Sequence, residues 1–307
     1  MSADDASGPL ADVIERVEAL RAPREIVRLA GGLTNANYKV VTDNAAYVVR
    51  RWSDETGLLA IDRDNEHFNS VRAAEVGVGA EVVAYLPERN TLVLEFIRGR
   101  TMSADALRAE ASLAEVAAAC RRLHGARAFR LDFDMFSIQR GYREIVRQRG
   151  FRVPERYDSF APQVEAIREA FARRPEPAAP CNNDLLAENF LRQDDGSFRL
   201  IDYEYSGNNE PSFELGNVWS ESDLGLDQLT ELVGAYWGAP LRHKVARARL
   251  WGLMSKYGWT LWASIQDGVS QIDFDFWTWG MEKYERAVAE FDGAQFERLL
   301  AEVGREG

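Results

Sequence analysis

Three polar residues in the second half of the chain, Asp184, Asn189 and Asp202, have types and spacing suited to phosphoryl transfer. Asn189 follows Asp184 by five residues, and Asp202 ends a short apolar segment eighteen residues after Asp184. Phosphoryl transfer needs a carboxylate beside the acceptor hydroxyl and oxygen ligands for magnesium, which is a hard cation. We therefore predict that Asp184 orients the hydroxyl and that Asn189 and Asp202 bind Mg²⁺. An Asn-Asp pair in a loop is by itself commonly a turn, so the prediction depends on all three residues.

Large aromatic residues are concentrated near the C-terminus, and they indicate which chemical group the substrate carries beside its hydroxyl. Five of the eight tryptophans lie between positions 251 and 279, and Asp273 and Asp275 lie among them. Trp259 and Trp262 are three residues apart and share one face of a helix. For any single ring, core packing is the commoner role. A quaternary ammonium has no N–H donors, so ring faces and carboxylates bind it, and this cluster favours a cage for such a cation.

The elements that must position these residues form a β-rich part followed by a helical part. Strands are predicted at 26–29, 38–41, 47–52, 82–84 and 91–96, with helices at 11–21 and 65–75. Beyond Ser103, which is predicted to cap a helix at 104–123, comes a charged helical stretch at 137–174. Residues 190–191 and 199–201 are predicted to form a hairpin. We predict an α+β fold with a small antiparallel β lobe containing one packed helix, residues 1–97, and a larger, mainly helical lobe, residues 98–307.

Two motifs surround the three polar residues: Cys181, Asn182, Asn183, Asp184 and Leu185, followed by Asn189, and then Asp202, Tyr203, Glu204 and Tyr205. Through them the chain resembles the choline/ethanolamine kinase family, within the aminoglycoside-phosphotransferase-like, protein-kinase-like group. The family has Cys-His-Asn-Asp-Leu and Asp-Phe-Glu-Tyr, so Asn182 replaces a histidine and Tyr203 replaces a phenylalanine. That histidine organises the loop by packing and hydrogen bonding, and asparagine can also donate and accept hydrogen bonds. We therefore expect an adjusted, active loop.

The resemblance implies that phosphates bind under residues 31–35. Gly31, Gly32, Thr34 and Asn35 match the family's phosphate loop. The glycines let backbone N–H groups approach the nucleotide, and the two polar side chains could add donors. A Gly-Gly pair between strands is by itself a hairpin turn, so this assignment depends on the family context.

The resemblance also implies how ATP is held between the lobes. Arg50 matches the cation that binds the α and β phosphates, with Glu66 as its partner. Arg51 is the alternative, because strand alternation points only one of the two inward. Backbone groups of Glu95 and Ile97, in the hinge, would bind the edge of the adenine.

For the acceptor, the resemblance implies a pocket of rings and one carboxylate. Trp259, Trp262 and Gln266 match the family's Trp-x-x-Trp-x-x-x-Gln, and the carboxylate is matched by Glu221. Phe276 and Trp279 match aromatic residues of the following segment. The three histidines lack metal-ligand spacing and are expected to be structural.

Composition excludes several other classes of function. The net charge of −12 argues against a nucleic-acid partner. No apolar run approaches the roughly 20 residues that span a bilayer, so membrane insertion is not expected. Two cysteines are too few for a disulfide framework, and the first ten residues lack the order of a signal peptide, which favours the cytoplasm.

Together these features predict a cytoplasmic kinase that transfers the γ-phosphoryl group of ATP, with Mg²⁺, to the hydroxyl of a small cationic amino alcohol. Choline is the favoured acceptor. Ethanolamine, thiamine, an aminoglycoside or a sugar are the alternatives, although a primary ammonium would favour hydrogen-bond acceptors over bare rings. A second alternative is a non-catalytic kinase-like binding protein, for which Asn182 is the one supporting residue.

Overall fold

A five-stranded antiparallel sheet forms the N-terminal lobe of the computed structural model, which describes residues 10–110 and 113–305. Its strands are β1 (Glu25–Arg28), β2 (Asn35–Val41), β3 (Ala46–Trp52), β4 (Val82–Leu86) and β5 (Thr91–Glu95). They are ordered β1-β2-β3-β5-β4. Val40, Val49 and Val93 come from three adjacent strands and pack, fully buried, on the short helix α1 (Ala11–Arg16). This core holds one face of the sheet, while the other face borders the cleft.

One helix, α2 (Arg63–Glu75), packs between the sheet and the second lobe. The Asp62 carboxylate caps it by accepting from the N–H of Asn65 at 2.8 Å. Its buried face is largely polar. The buried side chains of Asn65 and Asn69 both donate to the carbonyl oxygen of Ser206, at 2.8 and 3.1 Å. These bonds fix the position of the helix relative to the second lobe, and with it the position of Glu66, which faces β3.

Two small sheets carry the loops that contain the motif residues. β6 (Arg100–Thr101), β8 (Phe190–Arg192) and β9 (Phe198–Leu200) form one, and β7 (Ala179–Cys181) pairs with β10 (Gly207–Asn209) in the other. The catalytic loop, residues 182–189, connects β7 to β8. The metal loop, residues 201–206, connects β9 to β10. Because both loops connect the same two sheets, they lie side by side.

The remaining described residues are mainly helical and surround one long helix, α9. The helices are α3 (Ala104–Glu110), α4 (Leu113–His124), α5 (Met135–Arg149), α6 (Ala161–Arg173), α7 (Pro211–Glu221), α8 (Leu226–Trp237), α9 (Arg242–Val269), α10 (Phe276–Phe291) and α11 (Phe296–Val303). Helices α7 and α9 approach closely where Gly216 faces Gly252. A side chain at position 252 would prevent this approach, since its Cβ would lie 2.7 Å from the Gly216 carbonyl oxygen. Although α9 has 28 residues, it lacks the apolar length of a membrane span, as does every other described helix.

The predicted α+β, two-lobed architecture is confirmed, and the differences lie in helix boundaries. The stretch at 137–174 is two helices, because α5 ends at Gly150 with φ of +67° and Pro154 follows before α6 begins. The helix at 104–123 corresponds to α3 and α4, and residues 111–112 lie outside the described part. Ser103 caps α3 as expected, accepting from the N–H of Ala106 at 3.2 Å. The helix at 11–21 is shorter than predicted, ending at Arg16 before a single turn of 3₁₀ helix (Glu18–Leu20).

Candidate active site

The catalytic loop is held from below by Glu214 of α7. Its carboxylate is fully buried and accepts from the backbone N–H groups of Asn182 and Asn183, at 3.1 and 2.9 Å. Asn183 has φ of +67°, a left-handed conformation that disfavours residues with a side chain. Its amide nitrogen donates to the carbonyl oxygen of Tyr205 at 3.1 Å, which offsets that cost. The result is a rigid turn that points the next residue, Asp184, into the cleft.

His124 and Cys181 extend this buried support. The His124 Nε2 atom lies 3.5 Å from the Cys181 sulfur and 3.6 Å from a Glu214 oxygen. The sequence did not reveal this group, because its three members are far apart in the chain. Although all three are metal-ligand types within 4.8 Å of one another, the Glu214 oxygens are already used by the loop. We therefore infer that His124, Cys181 and Glu214 support the catalytic loop and do not bind a metal.

Asn182, which replaces the family's histidine, connects the catalytic loop to the metal loop. It is fully buried, and its Nδ2 donates to the carbonyl oxygens of Asp202 and Ile201, at 2.8 and 3.2 Å. Its Oδ1 accepts from the N–H of Asp184 at 3.1 Å. Asparagine thus makes the loop-organising hydrogen bonds that were expected at this position.

The two residues predicted to bind metal lie beside Asp184 in the same cleft. Asn189 donates through Nδ2 to the carbonyl oxygen of Asp184 at 2.7 Å, which leaves its amide oxygen for another partner. Asp202 has φ of +64°, and its Oδ1 accepts from Arg50 at 2.7 Å. One amide oxygen and one carboxylate are hard donors, so this pair has the chemistry that Mg²⁺ requires.

Arg50, rather than Arg51, points into the cleft. Its NH1 group donates both to Glu66 Oε1 at 2.8 Å and to Asp202, so it bridges α2 and the metal loop. Burial acts to lower the pKa of Arg50, but the charges of Asp202, Glu66 and Glu204 outweigh it and raise that pKa. Arg51 instead lies 3.6 Å from Asp12 on the other side of the sheet.

The glycine loop closes over the cleft and is tied to the other lobe. Gly31 and Gly32 both have φ of +88°, which favours glycine. The carbonyl oxygen of Leu33 accepts from Gln266 of α9 at 2.8 Å. This hydrogen bond joins the tip of the loop directly to the helix that carries the tryptophans.

Thr34 and Asn35 direct their side chains to Glu204, at 2.9 and 2.8 Å. Their side-chain donors are therefore used within the protein, and Asn35 does not border the cleft. Arg63 also contacts Glu204, at 3.3 Å. Burial, followed by the charge of Asp202, raises the pKa of Glu204 to about 7, although Arg63 and Arg50 act in the opposite direction. Glu204 thus joins the glycine loop, α2 and the metal loop, a role that the Asp-Tyr-Glu-Tyr segment could have suggested.

Glu95 and Ile97 border the cleft where the lobes join. The intervening Phe96 N–H donates to the carbonyl oxygen of Ala46 at 3.0 Å. The N–H of Ile97 makes no hydrogen bond within residues 10–110 and 113–305. It is available to a ligand in the cleft.

Trp259, Trp262 and Trp279 border the same cleft as Asp184. The rings of Trp262 and Trp279 meet edge to face with centroids 5.5 Å apart, and the Trp262 N–H donates to the Tyr205 hydroxyl at 2.8 Å. Tyr205, to which the sequence analysis gave no role, packs edge-on against Trp259 at 4.9 Å. These four rings form a continuous aromatic wall.

Phe276 is not part of the cleft lining, whereas Phe274 is. Phe276 is 2% exposed and packs behind Trp262, with centroids 5.8 Å apart. Asp275 caps α10 by accepting from the N–H of Thr278 at 2.9 Å, so Phe276 enters the first turn and faces the core. Phe276 was expected from the sequence to line the acceptor pocket; in the structure Phe276 packs in the core and Phe274 borders the cleft instead.

Glu221 also borders the cleft, and a lysine that the sequence analysis did not consider is bonded to it. Lys283 donates to one Glu221 oxygen, and its ammonium lies 4.2 Å from the centroid of the Trp279 ring. The second oxygen of Glu221 is buried and has no hydrogen-bond partner in the described part of the chain. The protein therefore places its own cation against the carboxylate and one of the rings expected to bind a cationic acceptor.

Asp184 lies in a strongly negative environment. Its carboxylate accepts no hydrogen bond from the residues that the structure describes. Burial, then the charges of Asp202, Glu221 and Glu204, raise the pKa of Asp184 well above its usual range, with Lys283 acting weakly against them. The cleft, of about 770 Å³, thus combines the Asp184 carboxylate, the oxygen ligands of Asn189 and Asp202, and the guanidinium of Arg50.

Comparison of the chain with known proteins identifies its family. Residues 26–230, more than half of the chain, match the family model for choline/ethanolamine kinase. The chain belongs to the choline/ethanolamine kinase family. This kinase is therefore a phosphotransferase that acts on the alcohol group of an amino alcohol, and its fold is the two-lobed, protein-kinase-like one.

Individual relatives match most of the length of this kinase, and their names do not single out one acceptor. It is 27% identical over 251 residues to Protein LicA of Haemophilus influenzae, covering 77% of this chain and 72% of that protein. It is 25% identical over 293 residues to ethanolamine kinase 2 of Rattus norvegicus, covering 84% and 74%. A solved choline/ethanolamine kinase family protein from Mesorhizobium loti has a TM-score of 0.82 and 28% identity, covering 96% of this chain and 99% of the other.

Proposed function

We propose that this kinase transfers the γ-phosphoryl group of ATP to the hydroxyl of choline. The observation that carries the proposal is the position of Asp184 and three tryptophans in one cleft. A carboxylate beside ring faces suits an acceptor with a hydroxyl two carbons from a trimethylammonium group. The carboxylate would receive the hydroxyl, and the rings would surround the cation.

The nucleotide would lie between the lobes. The free N–H of Ile97 and the carbonyl of Glu95 would bind the adenine edge, and the backbone N–H groups of Gly31 and Gly32 would face the phosphates. Arg50, with Glu66 holding its guanidinium, would bind phosphate oxygens. Since Thr34 and Asn35 are bonded to Glu204, their contribution would be to shape the loop.

Asn189 and Asp202 would hold Mg²⁺ through the amide oxygen and the carboxylate. The ion would supply neutralisation of phosphate charge. Arg50 already contacts Asp202 at 2.7 Å, so the cation that binds phosphate and the carboxylate that binds metal are positioned together. Asp184 would orient the acceptor and take its hydroxyl proton. A raised pKa makes a carboxylate a better proton acceptor.

The preference for choline over ethanolamine follows from what surrounds the acceptor's cation. A primary ammonium needs three hydrogen-bond acceptors, whereas the ring faces of the wall are weak acceptors and the Tyr205 hydroxyl already accepts from Trp262. Glu221 has one oxygen bonded to Lys283 and only one without a partner among the described residues. A trimethylammonium group has no N–H that needs an acceptor. The free-energy cost of removing it from water in these surroundings is therefore lower than for a primary ammonium.

Purified protein with ATP, Mg²⁺ and a panel of choline, ethanolamine, thiamine, an aminoglycoside and a hexose tests the proposal. We expect acceptor-dependent ADP release that is greatest with choline. ATP binding without any acceptor-dependent release would favour the non-catalytic alternative. Greatest release with another member of the panel would reassign the acceptor.

A further inference from the structure

A second cavity, of about 380 Å³, lies outside the catalytic cleft where α7, α9 and α10 meet. Three basic and two acidic side chains border it, together with the ring of Trp219: Arg249, Lys256, Arg286, Asp223 and Glu290. The proposed kinase reaction uses none of these residues. Arg286 and Asp223 are about half exposed, at 49% and 57%, so the cavity is accessible from solvent at that end.

The two arginines of this cavity are paired, but the lysine is not. Arg249 donates to both oxygens of Glu290, each at 3.0 Å, and Arg286 donates to Asp223 at 2.9 Å. Lys256 is only 7% exposed, yet within residues 10–110 and 113–305 it has neither a carboxylate partner nor a hydrogen-bond acceptor. Its ammonium lies 4.2 Å from the centroid of the Trp219 ring. The indole N–H of Trp219 likewise has no acceptor in that part of the chain.

An unpaired ammonium at this depth is costly, because burial removes its water without supplying a counter-charge. Burial is the main cause that lowers the pKa of Lys256 to about 8, with the charges of Lys283 and Arg286 adding to it and those of Glu221 and Glu290 opposing it. The cation over Trp219 recovers part of the lost solvation. An anion in the adjoining cavity would supply the counter-charge and the hydrogen-bond acceptor that the Lys256 ammonium lacks.

We propose that this cavity binds a phosphoryl anion, either inorganic phosphate or a phosphomonoester, with Lys256 as its main partner. A tetrahedral phosphoryl group offers several acceptor oxygens, and Lys256 and Arg286 approach the cavity from two different helices. The three positive charges exceed the two negative ones, so the cavity favours an anion of low charge. Its volume is larger than a single phosphate requires, which leaves room for the organic part of a small ester.

The Trp219 indole provides a reporter inside the proposed site. We would label the full chain with ¹⁵N-tryptophan, assign the Trp219 resonance with Trp219→Phe, and titrate inorganic phosphate against a sodium chloride series of equal ionic strength. We expect a saturable shift of the Trp219 resonance with phosphate and none with chloride. A parallel titration with O-phosphorylcholine distinguishes inorganic phosphate from a phosphomonoester as the ligand of the site. The ligand with the lower Kd is the one that the site prefers.

Lys256→Met should weaken phosphate binding at least tenfold while keeping the length of the side chain. Lys39→Met, which removes the same charge from β2, is the matched control and should leave the affinity unchanged. If Lys256→Met does not fold, Arg286→Gln, at a half-exposed position, should also weaken binding.

Three results would overturn the proposal. The first is the absence of a saturable Trp219 shift in the unmodified chain, and the second is an equal shift with chloride. The third is unchanged affinity in folded Lys256→Met or, where that variant does not fold, in Arg286→Gln.

Discussion

The side-chain amide of Asn182 donates a hydrogen bond of 2.8 Å to the carbonyl oxygen of Asp202, and so joins the catalytic loop to the metal loop. The Asn182 residue is fully buried, and its side chain also accepts from the N–H of Asp184. One neutral side chain therefore helps to set the distance between the predicted hydroxyl-binding carboxylate and the predicted metal ligand. A histidine is not required for that task, because an amide supplies both a donor and an acceptor.

Asn182→Ala should reduce both stability and turnover. It leaves two buried carbonyl oxygens and one N–H without partners, at a cost of about 1–3 kcal/mol. Asn208→Ala is the matched control, since Asn208 also donates to a backbone carbonyl, that of Phe129 at 3.0 Å, away from the cleft. Urea unfolding and steady-state kinetics would compare the two variants. Equal kcat in both would show that the Asn182 bridge has no effect on the reaction.

Asp184→Ala should abolish acceptor phosphorylation while leaving ATP binding intact. The carboxylate makes no hydrogen bond to the described protein, so its loss does not disturb the surrounding loop. Loss of a positioned proton acceptor lowers kcat by about 10²–10⁴-fold. Calorimetry with ATP and a coupled assay for ADP measure the two quantities. Retained turnover would remove Asp184 from its assigned role.

Lys283→Met should strengthen binding of a cationic acceptor and destabilise the fold. Glu221, with a side chain only 2% exposed, would lose its ion pair with Lys283, and removing one member of a buried pair costs about 3 kcal/mol. The bare carboxylate would then attract the acceptor more strongly, so KM should fall. Glu221→Gln combined with Lys283→Met should restore stability and raise KM. A higher KM in the single variant would mean that Lys283 assists the acceptor instead of competing with it.

Lys256→Met should stabilise the protein near neutral pH in phosphate-free buffer. The pKa of Lys256 is about 8 in the folded chain against an ordinary value of 10.5, so between these values the unfolded state binds more protons. The free energy of unfolding of the unmodified protein therefore rises with pH across this window, by on the order of 3 kcal/mol. The advantage of the variant should be full below pH 8 and vanish above about pH 10.5. Urea unfolding at pH 7 and pH 10.5 measures it, and an equal difference at both values would contradict a charged, buried Lys256.

The parts of the site that the sequence predicted have local signals. Asp184 and Asn189 lie on one loop, and strand alternation narrowed the phosphate-binding cation to two neighbours, of which Arg50 points inward. Contacts between distant segments had no such signal. Thr34 was expected to offer its hydroxyl to the phosphates, but the hydroxyl donates to Glu204, which lies 170 residues away in the chain.

The position of Lys283 illustrates a second limit of sequence reasoning. It follows Trp279 by one helical turn, so its proximity to that ring could have been anticipated. Its bond to Glu221 could not, because it depends on how α10 packs beside the end of α7. The break within 137–174 differs from this case, because Gly150 and Pro154 are local helix-stop signals that the sequence displays.

The most direct test of the account is kcat/KM measured with ethanolamine and its mono-, di- and trimethyl derivatives under saturating ATP and Mg²⁺. The four acceptors share one hydroxyl and one positive charge, and they differ in the number of N–H donors that the aromatic wall must accommodate. We predict that kcat/KM rises with each methyl group and is greatest for choline. A constant or falling kcat/KM along the series would contradict an aromatic cage built from Trp259, Trp262 and Trp279.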